Sequence, residues 1–258
     1  MGPTGCGQGA MTVLRPASIV VPGRRRFFAA FAVLSLVLTV AGFSLSFFVP
    51  LARGVLAVPR VVYVHGTLFL TWVTLLVIQT FLVGRGRLRW HQRIGWIAFA
   101  LVPSMIASGI GVALWATARD MHEGHEDAAL AFLLGLFTDM MTFGLLACVG
   151  MLMRRRPETH KRLLVMATVV LLGAALVRLL ALVTSTVRPW NIAVTALLVV
   201  VVTAYDLRTK HRVHAATLWG GGAVLTNLIA QGPLGRTDLW LDVARRIMAV
   251  AIRWRLSR

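Results

Sequence analysis

Apolar positions run almost unbroken in this chain for stretches of about two dozen residues, and polar ones are gathered into short connectors between them. The runs cover roughly residues 27–50, 61–84, 94–117, 129–153, 163–186 and 190–206. At 1.5 Å per helical residue each of the longer runs crosses about 30 Å of hydrocarbon. A further stretch at 215–233, "AATLWGGGAVLTNLIAQGP", is shorter and glycine-rich, and either spans or re-enters. After it, Leu241, Ala244, Ile247, Met248, Ala251 and Ile252 recur at helical spacing, which predicts an amphipathic helix lying in a membrane interface. The pattern predicts an all-α, polytopic transmembrane helix bundle of about seven spans with a C-terminal amphipathic helix. Its parts are an N-terminal tail at 1–26, the bundle at 27–234 and the last helix at 235–258. The first run, "FFAAFAVLSLVLTVAGFSLSFFV", exceeds the 7 to 15 residues of a signal-peptide core and lacks a clear small-x-small exit, so it is expected to stay as a helix.

Composition agrees. Of 258 residues 58% are hydrophobic and only 14% charged, and mean hydropathy is +0.78, far from a soluble domain. A formal charge of +18 would suggest nucleic acid in a soluble chain. Here the cations sit in alternate connectors: Arg24 to Arg26; Arg85, Arg87, Arg89 and Arg93; Arg154 to Arg156 with Lys161 and Arg162; Arg208, Lys210 and Arg212. That layout speaks for membrane topology and for the lipid bilayer as partner, with no nucleic acid, and it places the N-terminus in the cytosol. Arginine-rich connectors also suit anionic lipid headgroups. The cationic C-terminal tail strains the scheme, since seven spans put it outside; if 215–233 only dips into the membrane, the tail is inside. Cys6 and Cys148 have no evident disulfide partner.

Asp139 and Arg178 are the strongly charged side chains deep in predicted spans. Counted from the cytosolic ends of their apolar runs they lie at one depth, and an unpaired charge near the bilayer centre costs at least about 2.5 kcal/mol. The two are therefore expected to pair, as a packing device or as part of a ligand or proton site. His65, Trp72 and Gln79 are seven apart and form one stripe that must face protein. By depth His65 joins Asp139 and Arg178 in the outer half, where a cavity for a quinone, a lipid or another small amphiphile is expected. His91 in "RGRLRWHQRIGWIA" and His160 in "RRRPETHKRLLVMA" occupy matching places in two similar connectors, a weak sign of a pseudo-repeat. They suit either haem b ligation, with arginines taking the propionates, or headgroup contact, and the solvated arginines beside them favour the latter. His122 and His125 in "HEGHED" suit zinc or copper but lack a third ligand at fixed spacing. No phosphate-cradling glycine loop, zincin motif or G-x-S-x-G elbow is present.

The stretches "HGTLFLTW", "QTFLV", "HQRIG", "FTDMMTF", "RRRPETHKRLLVMAT" through Arg178, and "YDLRTKHRVH" together resemble a family of uncharacterised bacterial polytopic membrane proteins, chiefly over residues 61–214. The resemblance implies a bacterial cytoplasmic membrane location and a fold, without a reaction. The arrangement also looks distantly like transmembrane di-haem b cytochromes that pass electrons from ascorbate, although only His65 lies inside a predicted span. Two function classes follow: a redox or ligand-handling membrane component, or a non-catalytic assembly partner or transporter-like bundle with a structural Asp–Arg pair.

Overall fold

A computed structural model describes residues 23–256. Residues 1–22 of the predicted tail at 1–26, with Cys6, lie outside the described residues, and its last four already belong to the first helix. The chain is 88% helical and, among the described residues, has no strand. Helix α1 (Gly23–Phe43) passes through a π-helical turn (Ser44–Phe48) into a short α2 (Val49–Ala52). There follow α3 (Arg60–Gly84), a short α4 (Leu88–Gly95), α5 (Ile97–His122), α6 (Glu126–Leu152), α7 (Pro157–Leu180), α8 (Val187–Lys210), α9 (Ala215–Gly235) and α10 (Asp238–Leu256). Six spans, Arg26–Ala52, Arg60–Gly84, Leu88–His122, Glu126–Arg155, Pro157–Leu180 and Val187–Lys210, are long and apolar enough to cross a membrane.

The helices outrun the apolar runs because their first and last turns carry polar residues. Pro157 starts α7, where a missing N–H costs nothing, so α7 begins six residues before the apolar run. The connector 85–93 is itself partly helical as α4. Gly86 (φ +72°) and Gly124 (φ +87°) hold the left-handed conformations that turn α3 into α4 and α5 into α6.

Helix α7 is the axle. The share of its apolar window buried inside the protein is 61%, against 22–33% for the other spans. Around it run α1, α3, α5, α6, α9 and α8, each packed on the next. Tyr205 of α8 closes the ring by stacking on Phe27 of α1 at 4.0 Å. Gly42 makes the closest approach to the axle: a Cβ there would lie 2.5 Å from the Ala175 carbonyl oxygen. On the outside, Val37, Leu145 and Val200 stand more than half exposed in mid-helix, a pattern suited to lipid.

Neighbouring helices alternate in direction, giving the bundle a basic end and an acidic end. Helix α9 runs the whole distance between them. Its N-terminal Thr217 bonds Asp206 at the basic end, and its last residue, Gly235, packs on Ala131 one turn into α6. Its 21 residues span about 31 Å. The re-entrant alternative for 215–233 is thereby set aside, and with it the placing of α10 at the basic end. Instead α10 docks beside the start of α6. Ala244 and Met248 are buried against Ala113, Leu130 and Leu133, and Trp240 Nε1–H donates to the Leu130 carbonyl at 2.8 Å. Arg245 meets Asp127 at 3.1 Å and Glu126 at 3.6 Å, so the acidic loop offsets the cations that strained the topology.

Candidate functional site

The expected Asp139–Arg178 pair does not form. Asp139 Oδ1 accepts from Asn227 Nδ2 at 2.7 Å and Gln231 Nε2 at 2.9 Å, both on α9. Arg178 donates to Ser46 Oγ at 3.2 Å in the π-helical turn and to its own helix at Ala174, and it lies over the Phe43 ring at 4.4 Å. The depth count is what misled: α7 starts before its apolar run, so Arg178 falls in the last turn of the helix while Asp139 is at the middle of α6. The two also face different neighbours, α1 and α9.

His65 Nδ1 lies 3.1 Å from Ser108 Oγ on α5. His65, Asp139 and Arg178 therefore turn to α5, α9 and α1 respectively, and they do not build the shared outer cavity expected of them. The stripe of His65, Trp72 and Gln79 does face protein. Trp72 is buried, donates to Thr168 Oγ1 at 3.1 Å and meets Phe143 edge-on. His122 and His125 are exposed on either side of the Gly124 turn. Among the described residues no group of three or more His, Cys, Asp or Glu is placed to hold a metal ion.

At the basic end two polar clusters form. The first is an ion-pair network that the sequence reading missed. Arg162 and Asp206 side chains are wholly buried and bonded to each other, with Arg162 Nε 2.9 Å from Asp206 Oδ1. Asp206 Oδ2 also accepts from Thr217 Oγ1 at 2.6 Å and from the His214 backbone N–H at 3.1 Å. Arg162 Nη1 reaches Glu158 Oε2 at 2.8 Å and the Glu158 carbonyl at 2.9 Å. Glu158 in turn takes Lys161 at 2.6 Å and Lys210 at 2.5 Å. Every partner is satisfied, so this network fixes α7, α8 and α9 to one another. His214 caps α9 by accepting from Ala216 N–H at 3.1 Å. Burial, and then the neighbouring Arg162 and Lys210 charges, hold its imidazole below the usual histidine range.

The second cluster brings His91 of α4 and His160 of α7 together. Their ring centres are 6.4 Å apart and the planes cross at 87°. His160 Nδ1 is 2.7 Å from the Gly150 carbonyl oxygen. A carbonyl only accepts, so Nδ1 carries the proton and the lone pair of the neutral ring is at Nε2. Gly150 permits this approach, because a Cβ there would press on Leu163 and Leu164 at 3.0–3.2 Å. Three atoms here are unsatisfied, unlike those in the first cluster. His91 Nδ1 and both polar atoms of the Gln79 amide are buried with no partner. His91 lies by the Gln79 backbone carbonyl, and the Gln79 amide faces α4 near Gly95. Buried polar atoms without partners are uncommon and point to a bound group or water. The two histidines expected to serve haem or lipid headgroups thus lie side by side at the basic end, with exposed arginines of the connector 85–93 beside them. No family model matches the chain, and no curated protein or solved structure does either.

Proposed function

We propose that the protein is a membrane helix bundle that binds one haem between His91 and His160 and serves as a one-electron redox component. The observation that carries this reading is the ring pair at 6.4 Å with perpendicular planes. His91 and His160 would be the residues to hold the iron, and the bound group would supply one-electron redox chemistry. A bare ion would want a third or fourth protein ligand, and no such group exists among the described residues. A haem iron asks the protein for two axial ligands only. The Nδ1–H bond to Gly150 orients His160 for that task, as ligating histidines are usually oriented. The unpartnered Gln79 amide offers a donor to a carboxylate or ring edge, and the arginine-rich connectors suit propionates. The basic end is then the cytosolic one under the positive-inside rule.

The test is an absorption spectrum of protein purified from haem-supplemented cells, before and after dithionite, with electron paramagnetic resonance for axial ligation. A sharp reduced b-type band and a low-spin signal are expected, lost in His91→Ala and in His160→Ala and kept in His65→Ala. No haem after reconstitution would leave the second reading, a non-catalytic bundle in which the His160–Gly150 bond staples the α6–α7 turn.

A further inference from the structure

A separate feature sits at the opposite, acidic end. A cavity of about 460 Å³ opens there between α6, α8, α9 and α10, lined by Phe132, Gly135, Arg188, Gln231, Gly232 and Arg236 among others. Its charge is unbalanced. Asp127 also lines it but is taken by Arg245, and neither Arg188 nor Arg236 joins an ion pair among the described residues.

Arg188 is held in place by the lack of a side chain at Gly232. A Cβ on that glycine would fall onto the guanidinium, with Nε at 3.0 Å. The nearest acceptors of Arg188 are the Leu228 and Ile229 carbonyls, at 3.4 and 3.5 Å, which is too long to satisfy a guanidinium. Asn191 and Thr195 follow on the same face of α8, three and seven residues on. Asn191 Oδ1 and Thr195 Oγ1 are buried with no partner, and both residues are more than nine-tenths buried. Thr168 and Thr203 show the usual alternative, a bond to the carbonyl four residues back, which Thr195 does not make. The wall on the other side is apolar, and Phe132 is more than half exposed to the surrounding medium.

We infer that this cavity binds a phosphate group, carried on a membrane lipid or free, with Arg188 and Arg236 of its lining as the donors. Arginine forks match phosphate oxygens. Asn191 and Thr195, on the same α8 face but outside the cavity lining, leave unpartnered polar atoms behind Arg188, and Phe132 in the lining would flank an acyl chain. Gln231 joins the cavity to the half-buried Asp139, so the α6–α9 seam forms its floor.

The experiment uses the full chain in neutral detergent, titrated with phosphatidylglycerol in mixed micelles, with phosphatidylcholine, and with inorganic phosphate. Binding is read by native mass spectrometry and by the shift in unfolding midpoint. Saturable binding of phosphatidylglycerol is expected, weakened tenfold or more by Arg188→Ala with Arg236→Ala. Gly232→Ala keeps both charges but displaces the guanidinium, so it is expected to weaken binding as well, whereas Arg208→Ala at the basic end leaves it intact. A response to inorganic phosphate of equal strength assigns the site to a free anion, and a response to phosphatidylglycerol alone assigns it to a lipid. No saturable binding of either, or binding that survives the double arginine variant in folded protein, overturns the inference.

Discussion

Replacing Arg162 by methionine keeps most of the side-chain volume and removes the charge. Asp206 then retains two donors, Thr217 Oγ1 and the His214 N–H, but stays wholly buried without a counter-charge. Breaking a buried pair in this way costs about 3 to 5 kcal/mol. The reverse change, Asp206→Asn, is milder, because Arg162 still holds Glu158 through Oε2 and the backbone carbonyl. Its loss is that of charge-assisted bonds, about 1.5 to 3 kcal/mol. Combining Arg162→Met with Asp206→Asn removes the stranded charge and recovers part of the deficit. Unfolding against SDS mole fraction, followed by the fluorescence of the eight tryptophans, gives the four free energies of the cycle. An Arg162→Met protein within 1 kcal/mol of the parent, or an Asp206→Asn protein less stable than Arg162→Met, would refute the reasoning.

Gly42→Ala drives a methyl against the Ala175 backbone and is expected to cost about 1 to 3 kcal/mol in the same assay, unlike Gly84→Ala, where the added Cβ meets nothing. Trp240→Phe removes the bond to the Leu130 carbonyl and should loosen α10 by about 1 kcal/mol, seen as faster proteolysis near residue 238. His214 caps α9 as an acceptor and its imidazole titrates below the usual range. The cap is therefore complete above the unfolded value of about 6.5 and is lost as pH falls through the lower folded value. His214→Ser, which caps without titrating, should flatten that limb of the pH–stability curve. Finally, cysteines replacing His125 and Leu239 should be labelled from one side of the membrane and a cysteine replacing Arg89 from the other; labelling of Leu239→Cys with Arg89→Cys would contradict the traverse of α9.

Six of the about seven expected spans were legible as long apolar runs, and the amphipathic last helix and the inward stripe of α3 were legible because each rests on a periodicity that tertiary contacts do not alter. Pairing was not legible. Asp139 and Arg178 look matched when depth is counted from apolar boundaries, but a helix begins where its backbone can be capped, and Pro157 allows α7 to begin early. Rotation about the helix axis is equally invisible in one sequence, so nothing announced that Asp139 would meet Asn227 and Gln231. Those two residues, four apart on α9, were a usable signal, as was Asp206, a lone carboxylate at the head of a basic connector. The meeting of His91 and His160 depended on α4, a helix hidden inside what reads as a polar loop.

The central place of α7 sets an order on assembly. It is made after α1, α3, α5 and α6, which occupy one side of the ring, and before α8 and α9, which complete it. Until α7 arrives, those four helices surround an empty position, and the Gly42 and Trp72 surfaces that will grip it are turned to lipid or to whatever guards them. Once α7 is in place, it remains open on one flank until Asp206 comes in on α8 to take Arg162. The ion pair that α8 brings thus acts as a latch on a helix inserted earlier, and a chain stopped before residue 206 would hold its most enclosed helix with the door ajar.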